Sequence, residues 1–152
     1  MSKYFVILSA GKGSRFKSRK PKQYLYTYGK PVLQHSIDKA LKSGLFKKII
    51  VVINRSHSRY INSINKNNIK LVTGGNSRQE SSFNALKYLK QFNPKHVFIH
   101  DAARPFFSLK LLKRISNSLK NNIAVAPGIK INSSVKIKNG RKLKNIDRNG
   151  LF

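Results

Sequence analysis

Two short segments hold the residues whose types and spacing suit them to chemistry. The first is Ser9-Ala10-Gly11-Lys12-Gly13-Ser14-Arg15, followed by Lys22 in Pro21-Lys22-Gln23-Tyr24-Leu25. Glycines directly after a buried strand let backbone N–H groups approach phosphate oxygens closely, and Arg15 and Lys22 can flank a polyphosphate held there. The segment is not a Walker A loop, which needs Gly-Lys followed by Ser or Thr. Nor is it the dinucleotide fingerprint, because Phe16 stands where the third glycine belongs. The second is His100-Asp101-Ala102-Ala103-Arg104-Pro105. Of the four carboxylates in the chain, Glu80 is explained as a helix cap, Asp38 falls within an amphipathic helix and Asp147 follows a hairpin. Asp101 alone directly follows a buried strand, where it suits either Mg²⁺ or a ribose hydroxyl, or else a turn in which it bonds nearby backbone N–H groups.

These segments need a scaffold, and the pattern around them supplies one. Short apolar runs alternate with stretches of helical period, the signature of an α/β fold: a Rossmann-like, mostly parallel sheet with crossover helices. The strands are expected over 3–9, 48–54, 69–73, 96–100 and 123–126, and their continuous apolar character implies burial on both faces. Residues 31–43 place Leu33, Ile37 and Leu41 on one helical face, with Gly44 as C-cap. Ser77 and Glu80 form a capping-box pattern ahead of a helix carrying Phe83, Leu86 and Leu89, and Ser108 precedes another carrying Leu111, Leu112, Ile115 and Leu119. Near the end the period becomes two around Asn139-Gly140, a hairpin signal that puts Val135, Ile137 and Leu143 on one face. This hairpin, about 131–146, is either an arm that packs on another chain or a ribbon folded onto its own domain.

The chain has 152 residues, 39% of them hydrophobic, enough for one core and hence one domain over 1–152. No cysteine is present, so disulfides and thiolate chemistry are excluded. The apolar runs fall short of the ~20 residues a membrane helix needs, and the first residues lead into a strand without an apolar signal core, so cytoplasmic residence without membrane attachment is the expectation. Thirty-two basic against 4 acidic residues give a net charge of +28, which raises the alternative of a basic nucleic-acid-binding module. The lysines are spread over nearly every segment, however, and form no continuous basic block. They read as a solvated face that attracts anionic ligands in general.

Taken in order, SAGKGSRFKSRKPKQYL, GGNSRQESS, HDAARP and DRNGLF resemble the 2-C-methyl-D-erythritol 4-phosphate cytidylyltransferase family of isoprenoid biosynthesis, along the whole chain. The resemblance implies transfer of CMP from CTP to that sugar-alcohol phosphate, with a ribitol 5-phosphate cytidylyltransferase or another sugar-phosphate nucleotidyltransferase as alternatives. It implies that Ala10, Gly11 and Gly13 surround the CTP phosphates, and that Arg15 and Lys22 stabilise the transition state. Gly75, Asn76, Arg78 and Ser81 match the segment around the cytosine, with Asn76 replacing an acidic residue of some members. Asp101 and Ala102 match the ribose region, and Asp101 the Mg²⁺ site. Arg148 matches the arginine that positions the acceptor phosphate, in the family usually donated across a homodimer by an arm, and Ser134 stands near an Asp-Thr pair at the acceptor. Family members continue past DRNG, so the resemblance also implies a domain incomplete at its carboxyl end and a chain short of full activity.

Overall fold

A computed structural model describes residues 2–11, 18, 20–140 and 142–147. It consists of two compact units, Met1–Arg114 and Ile115–Phe152. The elements in chain order are β1 (Lys3–Ser9), β2 (Tyr26–Thr27), β3 (Lys30–Pro31), α1 (Val32–Lys42), β4 (Lys48–Ile53), α2 (Ser58–Ile61), β5 (Ile69–Thr73), α3 (Arg78–Lys90), β6 (His96–Asp101), α4 (Leu109–Ser118), β7 (Val135–Asn139) and β8 (Lys142–Ile146). No helix among the described residues is long and apolar enough to cross a membrane.

In the first unit, β5-β4-β1-β6 form a parallel sheet with β1 and β4 at its centre. That position explains their unbroken apolar runs: Val6, Ile7, Ile50, Val51 and Val52 are all fully buried, as strands covered on both faces must be. Tyr4, Val6, Ile50 and Val52 face α3 and pack with its Ala85 and Leu89. The alternate residue Phe5 faces the other way, into an aromatic group with Phe46, Phe98 and Phe107. On α1, Leu33, Ile37 and Ala40 are buried, and the helix ends at Gly44, whose φ of 63° suits a residue without Cβ.

The structure departs from the sequence expectations in five places. On α1, Ala40 rather than Leu41 completes the buried face, and Leu41 is exposed. Only the central strands β1 and β4 are buried on both faces, whereas the edge strands β5 and β6 are partly covered and Ile99 is exposed. On α3 the buried face is Ser81, Ala85 and Leu89, while Phe83 and Leu86 are exposed. Small side chains at two of these three positions let the helix lie close to the sheet. Residues 123–126 form no strand, and Ile123 is wholly exposed. The run is apolar but has no ladder partner among the described residues, and a strand is stable only with one. In the second unit the hairpin exists, but its closing pair is Asn139↔Lys142, one residue beyond the register centred on Asn139-Gly140. Across a two-residue loop, wherever it is centred, odd-numbered positions of β7 pair with even-numbered positions of β8 and share a face with them. Leu143 therefore lies opposite Lys138, and Ile146, opposite Val135, takes its place on the face with Ile137.

Candidate functional site

The neighbours β1 and β6 pair with Leu8 opposite Asp101, so Ser9–Gly11 and Asp101–Arg104 emerge side by side at the carboxyl edge of the sheet. This is the edge where open α/β sheets receive ligands. The turn after β5 brings Gly75 to Arg78 to the same edge. Between them lies a cavity of ≈ 890 Å³. It gathers Ala10, Gly11 and Lys22 from the glycine segment and its following turn, Gly75, Asn76, Arg78 and Ser81 from the turn before α3 and the helix start, and Asp101 and Ala102 from the β6 exit. Gly13, Arg15 and Arg148 lie outside the described residues. Ser134 belongs to the second unit, exposed just before β7.

Each wall has its own support. The Gln23 side chain donates from Nε2 to the Ser9 carbonyl at 2.9 Å and the Gly11 carbonyl at 3.0 Å, and Asn54 Nδ2 donates to the Ala10 carbonyl at 3.3 Å. The two glycines before α3 are dictated by close approach. A Cβ on Gly74 would stand 2.5 Å from the Ala10 Cβ, and one on Gly75 2.2 Å from the Glu80 side chain. Ser77 caps α3 by accepting from the Glu80 N–H at 3.0 Å. Glu80 in turn accepts from the Asn76 N–H at 2.8 Å, and Ser81 Oγ accepts from the Gly75 N–H at 3.1 Å. The turn that presents Asn76 is thus fixed by its own helix.

On the opposite wall, Asp101 receives Arg78 Nε on one carboxylate oxygen at 3.1 Å and Arg104 Nε on the other at 3.3 Å. Both guanidinium groups are largely exposed, so these bridges contribute little to stability, ~0.2–1 kcal/mol each. Their effect is positional: two cations are held at the mouth of the cavity. The Arg104 backbone is anchored by His100, whose Nε2–H donates to the Arg104 carbonyl at 3.0 Å. The His100 ring packs 4.5 Å from Phe107 and 5.7 Å from Phe5. Burial lowers the pKa of His100, although the Arg104 carbonyl and the Asp101 charge act in the opposite sense, so it is a neutral structural residue. Lys39 Nζ donates to the Pro105 carbonyl at 2.9 Å and secures the far end of the same turn.

Among the described lining residues the charges are Lys22, Arg78 and Arg104 against Asp101, a balance suited to an anionic ligand. The sequence reading missed Gln23, Asn54 and Arg104 as cavity residues. Asn54 had a usable signal, being the polar residue directly after the buried strand β4. Arg104 was visible within HDAARP, but its pairing with Asp101 depends on the fold of the turn.

A parallel sheet that opens at its carboxyl edge onto a glycine-bearing, cation-lined cavity is the architecture of α/β folds of the nucleotidyltransferase type. Residues 4–152 match IspD: 2-C-methyl-D-erythritol 4-phosphate cytidylyltransferase, and the chain belongs to this family. It is 47% identical over 152 residues to the bifunctional enzyme IspD/IspF of Pelagibacter ubique, covering 100% of this chain and 41% of that protein. It is 37% identical over 155 residues to the 2-C-methyl-D-erythritol 4-phosphate cytidylyltransferase of Clostridium acetobutylicum, covering 97% of this chain and 67% of that one. The fold matches the crystal structure of 4-diphosphocytidyl-2C-methyl-D-erythritol synthase from Anaerococcus prevotii with a TM-score of 0.79 at 27% identity, over 98% of this chain and 66% of that one. The chain therefore spans between about two fifths and two thirds of the length of these relatives.

Proposed function

We propose that the protein transfers CMP from CTP to 2-C-methyl-D-erythritol 4-phosphate with release of pyrophosphate. The supporting observation is the meeting in one cavity of the β1 exit, Lys22 and the Asp101-bridged arginines, in a chain of this family. In this reading a phosphate oxygen of the acceptor attacks the α-phosphorus of CTP. One P–O bond forms, the bond to the β-phosphate oxygen breaks, and pyrophosphate leaves with the electron pair. The nucleophile is already an anion, so no general base or covalent enzyme intermediate is required. Catalysis consists of alignment and stabilisation of negative charge. Ala10, Gly11 and Gly13 face the phosphates, Lys22 and Arg15 meet the charge that develops, and Gly75, Asn76, Arg78 and Ser81 hold the base. Ala102 and Asp101 contact the ribose, while Ser134 and Arg148 belong to the acceptor.

Mg²⁺ fits this reading as an ion that arrives with the nucleotide. No group of three His, Cys, Asp or Glu residues able to hold a metal exists among the described residues, and Asp101 is the lone carboxylate among the described residues that line the cavity. Mg²⁺ commonly takes one or two carboxylates and completes its shell with substrate phosphates and water. Asp101 would be that carboxylate, and the ion would neutralise phosphate charge. The proposal also includes a single catalytic domain, cytoplasmic residence where CTP is held, and a homodimer in which the hairpin arm delivers Arg148 to the partner's site.

The test is calorimetric titration with CTP and Mg²⁺, followed by pyrophosphate release with 2-C-methyl-D-erythritol 4-phosphate and ribitol 5-phosphate as competing acceptors. Saturable CTP binding and, in the full-length protein, turnover with the first acceptor are expected. Salt-sensitive binding to RNA or DNA without affinity for CTP would overturn the proposal. For the dimer, mixing inactive Lys22→Ala and Arg148→Ala proteins should restore activity in heterodimers.

A further inference from the structure

Gln23 has no task in the chemistry above, yet its environment is demanding. It sits in the short 3-10 turn Lys22–Tyr24 and is 4% exposed. Burying a primary amide is costly unless its N–H groups find acceptors. They find two, the carbonyls of Ser9 and Gly11, while Asn54 occupies the carbonyl of Ala10 between them. Successive carbonyls at the exit of β1 are thus each held by a side-chain amide. In a trans peptide unit the C=O and N–H point in opposite directions, so holding the carbonyl sets the whole plane. A carbonyl free to rotate could present its negative end to a phosphate, and these are committed to protein donors instead.

We infer that Gln23 is a positioning residue: its carboxamide ties the turn carrying Lys22 to the exit of β1, and so sets the separation between the Lys22 ammonium and the phosphate group bound there. The inference rests on the reading of the cavity as the CTP site. Lys22 and Gln23 are consecutive, so any displacement of the turn passes directly to the cation. Asparagine is one methylene too short for this span, and an ionised glutamate has no hydrogen to donate. Asn54 is the minor member of the same clamp, with one longer hydrogen bond.

The experiment compares wild type, Gln23→Met, Lys22→Ala and the double variant in pyrophosphate release, CTP affinity and thermal melting. Methionine retains length and approximate volume without a donor. Gln23→Met should lower kcat by about tenfold or more, because ~1 Å of misplacement can cost about 10²-fold, with a smaller change in KM for CTP. In the Lys22→Ala background the same substitution should change kcat by less than about twofold, since its effect passes through Lys22. A purely structural glutamine would lower the melting temperature and leave kcat per folded molecule unchanged, and that result overturns the inference. So do equal losses in both backgrounds. If Gln23→Met does not fold, Asn54→Ser replaces it. Serine retains a capping oxygen for the Ser56 N–H, which Asn54 now accepts at 2.9 Å, but is too short to reach Ala10. A modest fall in kcat that disappears without Lys22 is expected, and an unchanged kcat refutes the clamp. Failure of the underlying reading has a different signature: wild type neither binds CTP nor releases pyrophosphate, and the clamp falls with it. Failure of the clamp alone leaves wild type active and both variants equal to it.

Discussion

The wall of the cavity and the β7–β8 hairpin are built on opposite principles. Around the cavity, Ala10, Gln23, Ser81 and Ala102 are each less than 10% exposed, and the side chains of Gln23, Asn54 and Ser81 are tied to the chain's own carbonyls and N–H groups. In the hairpin only Val135 is partly covered. Ile137 and Leu143 are 52% and 65% exposed and lie on different faces. Two strands alone are marginal in water, so a ribbon with apolar side chains on both faces has its stabilising contacts still to make. The difference is one of packing: the cavity wall is held by the chain's own contacts, whereas the hairpin leaves apolar side chains exposed on both faces.

The sharpest test of the cavity as a preorganised site is Lys22→Ala. The residue is exposed in the cavity wall, so its removal leaves the core intact. If Lys22 meets charge that develops in the transition state, kcat should fall on the order of 10²-fold or more while CTP affinity changes far less. A raised KM with unchanged kcat would instead assign it to ground-state binding. The next effect concerns the wall's shape. Gly74→Ala puts a methyl 2.5 Å from the Ala10 Cβ and 2.8 Å from Ser81 Oγ, which forces β1 and α3 apart. Overpacking of this kind typically costs about 1–3 kcal/mol, so both the melting temperature and CTP affinity should drop. A variant that keeps both would show that the wall yields more than its packing suggests.

Much of this wall was legible in the sequence, for identifiable reasons. Strands buried on two faces produce unbroken apolar runs, so β1 and β4 were plainest, and the edge strands β5 and β6 were visible from shorter apolar runs although they are only partly covered; the carboxyl ends of β1 and β6 located the glycine segment and Asp101. The role of the Gly74-Gly75 pair was not visible, because it depends on Ala10 and Glu80 approaching from elsewhere in the chain. The bridge from Arg78 to Asp101 joins a helix start to a strand end across 23 positions of sequence, a contact no local pattern encodes. The hairpin failed differently: its period was evident, but antiparallel pairing across a two-residue loop puts Leu143 on the face away from Val135 and Ile137, which the period of each strand alone does not show. Register follows from the connection actually formed, and Asn-Gly constrained it only to within one residue.

That register yields a test of the hairpin as a meeting surface. If the face with Val135, Ile137 and Ile146 packs on a second copy, Ile137→Lys should weaken self-association by about tenfold. This corresponds to loss of one buried aliphatic contact, ~1.5–3 kcal/mol, partly offset by retained neighbours. Leu143→Lys, on the opposite face, should have a smaller effect. Sedimentation equilibrium would measure both. Equal effects would mean that both faces are covered, and no effect from either would leave the arm without a partner.

The smallest expected effect is one of pH, and it separates the regions because all four histidines, His35, His57, His96 and His100, precede residue 115. Burial lowers the pKa of both His57 and His100, with Arg59 adding to the effect at His57. Above the ordinary histidine value of ~6.5 both are neutral whether the chain is folded or not, and the stability associated with them is fully present. As the pH falls below that value and through the lowered folded values, the unfolded chain takes up protons that the folded chain resists, so stability is lost toward acid. The melting temperature should fall by roughly a few degrees between about pH 7.5 and pH 5. His100→Asn removes one titrating ring while offering an amide hydrogen for the Arg104 carbonyl, and it should flatten that slope. The hairpin contains no histidine, so between about pH 7.5 and pH 6.5, where the fold is still intact, self-association through Ile137 should stay constant. A melting profile that rises toward acid, or a His100→Asn profile as steep as that of wild type, would show that this ring does not govern the acid response of the cavity wall.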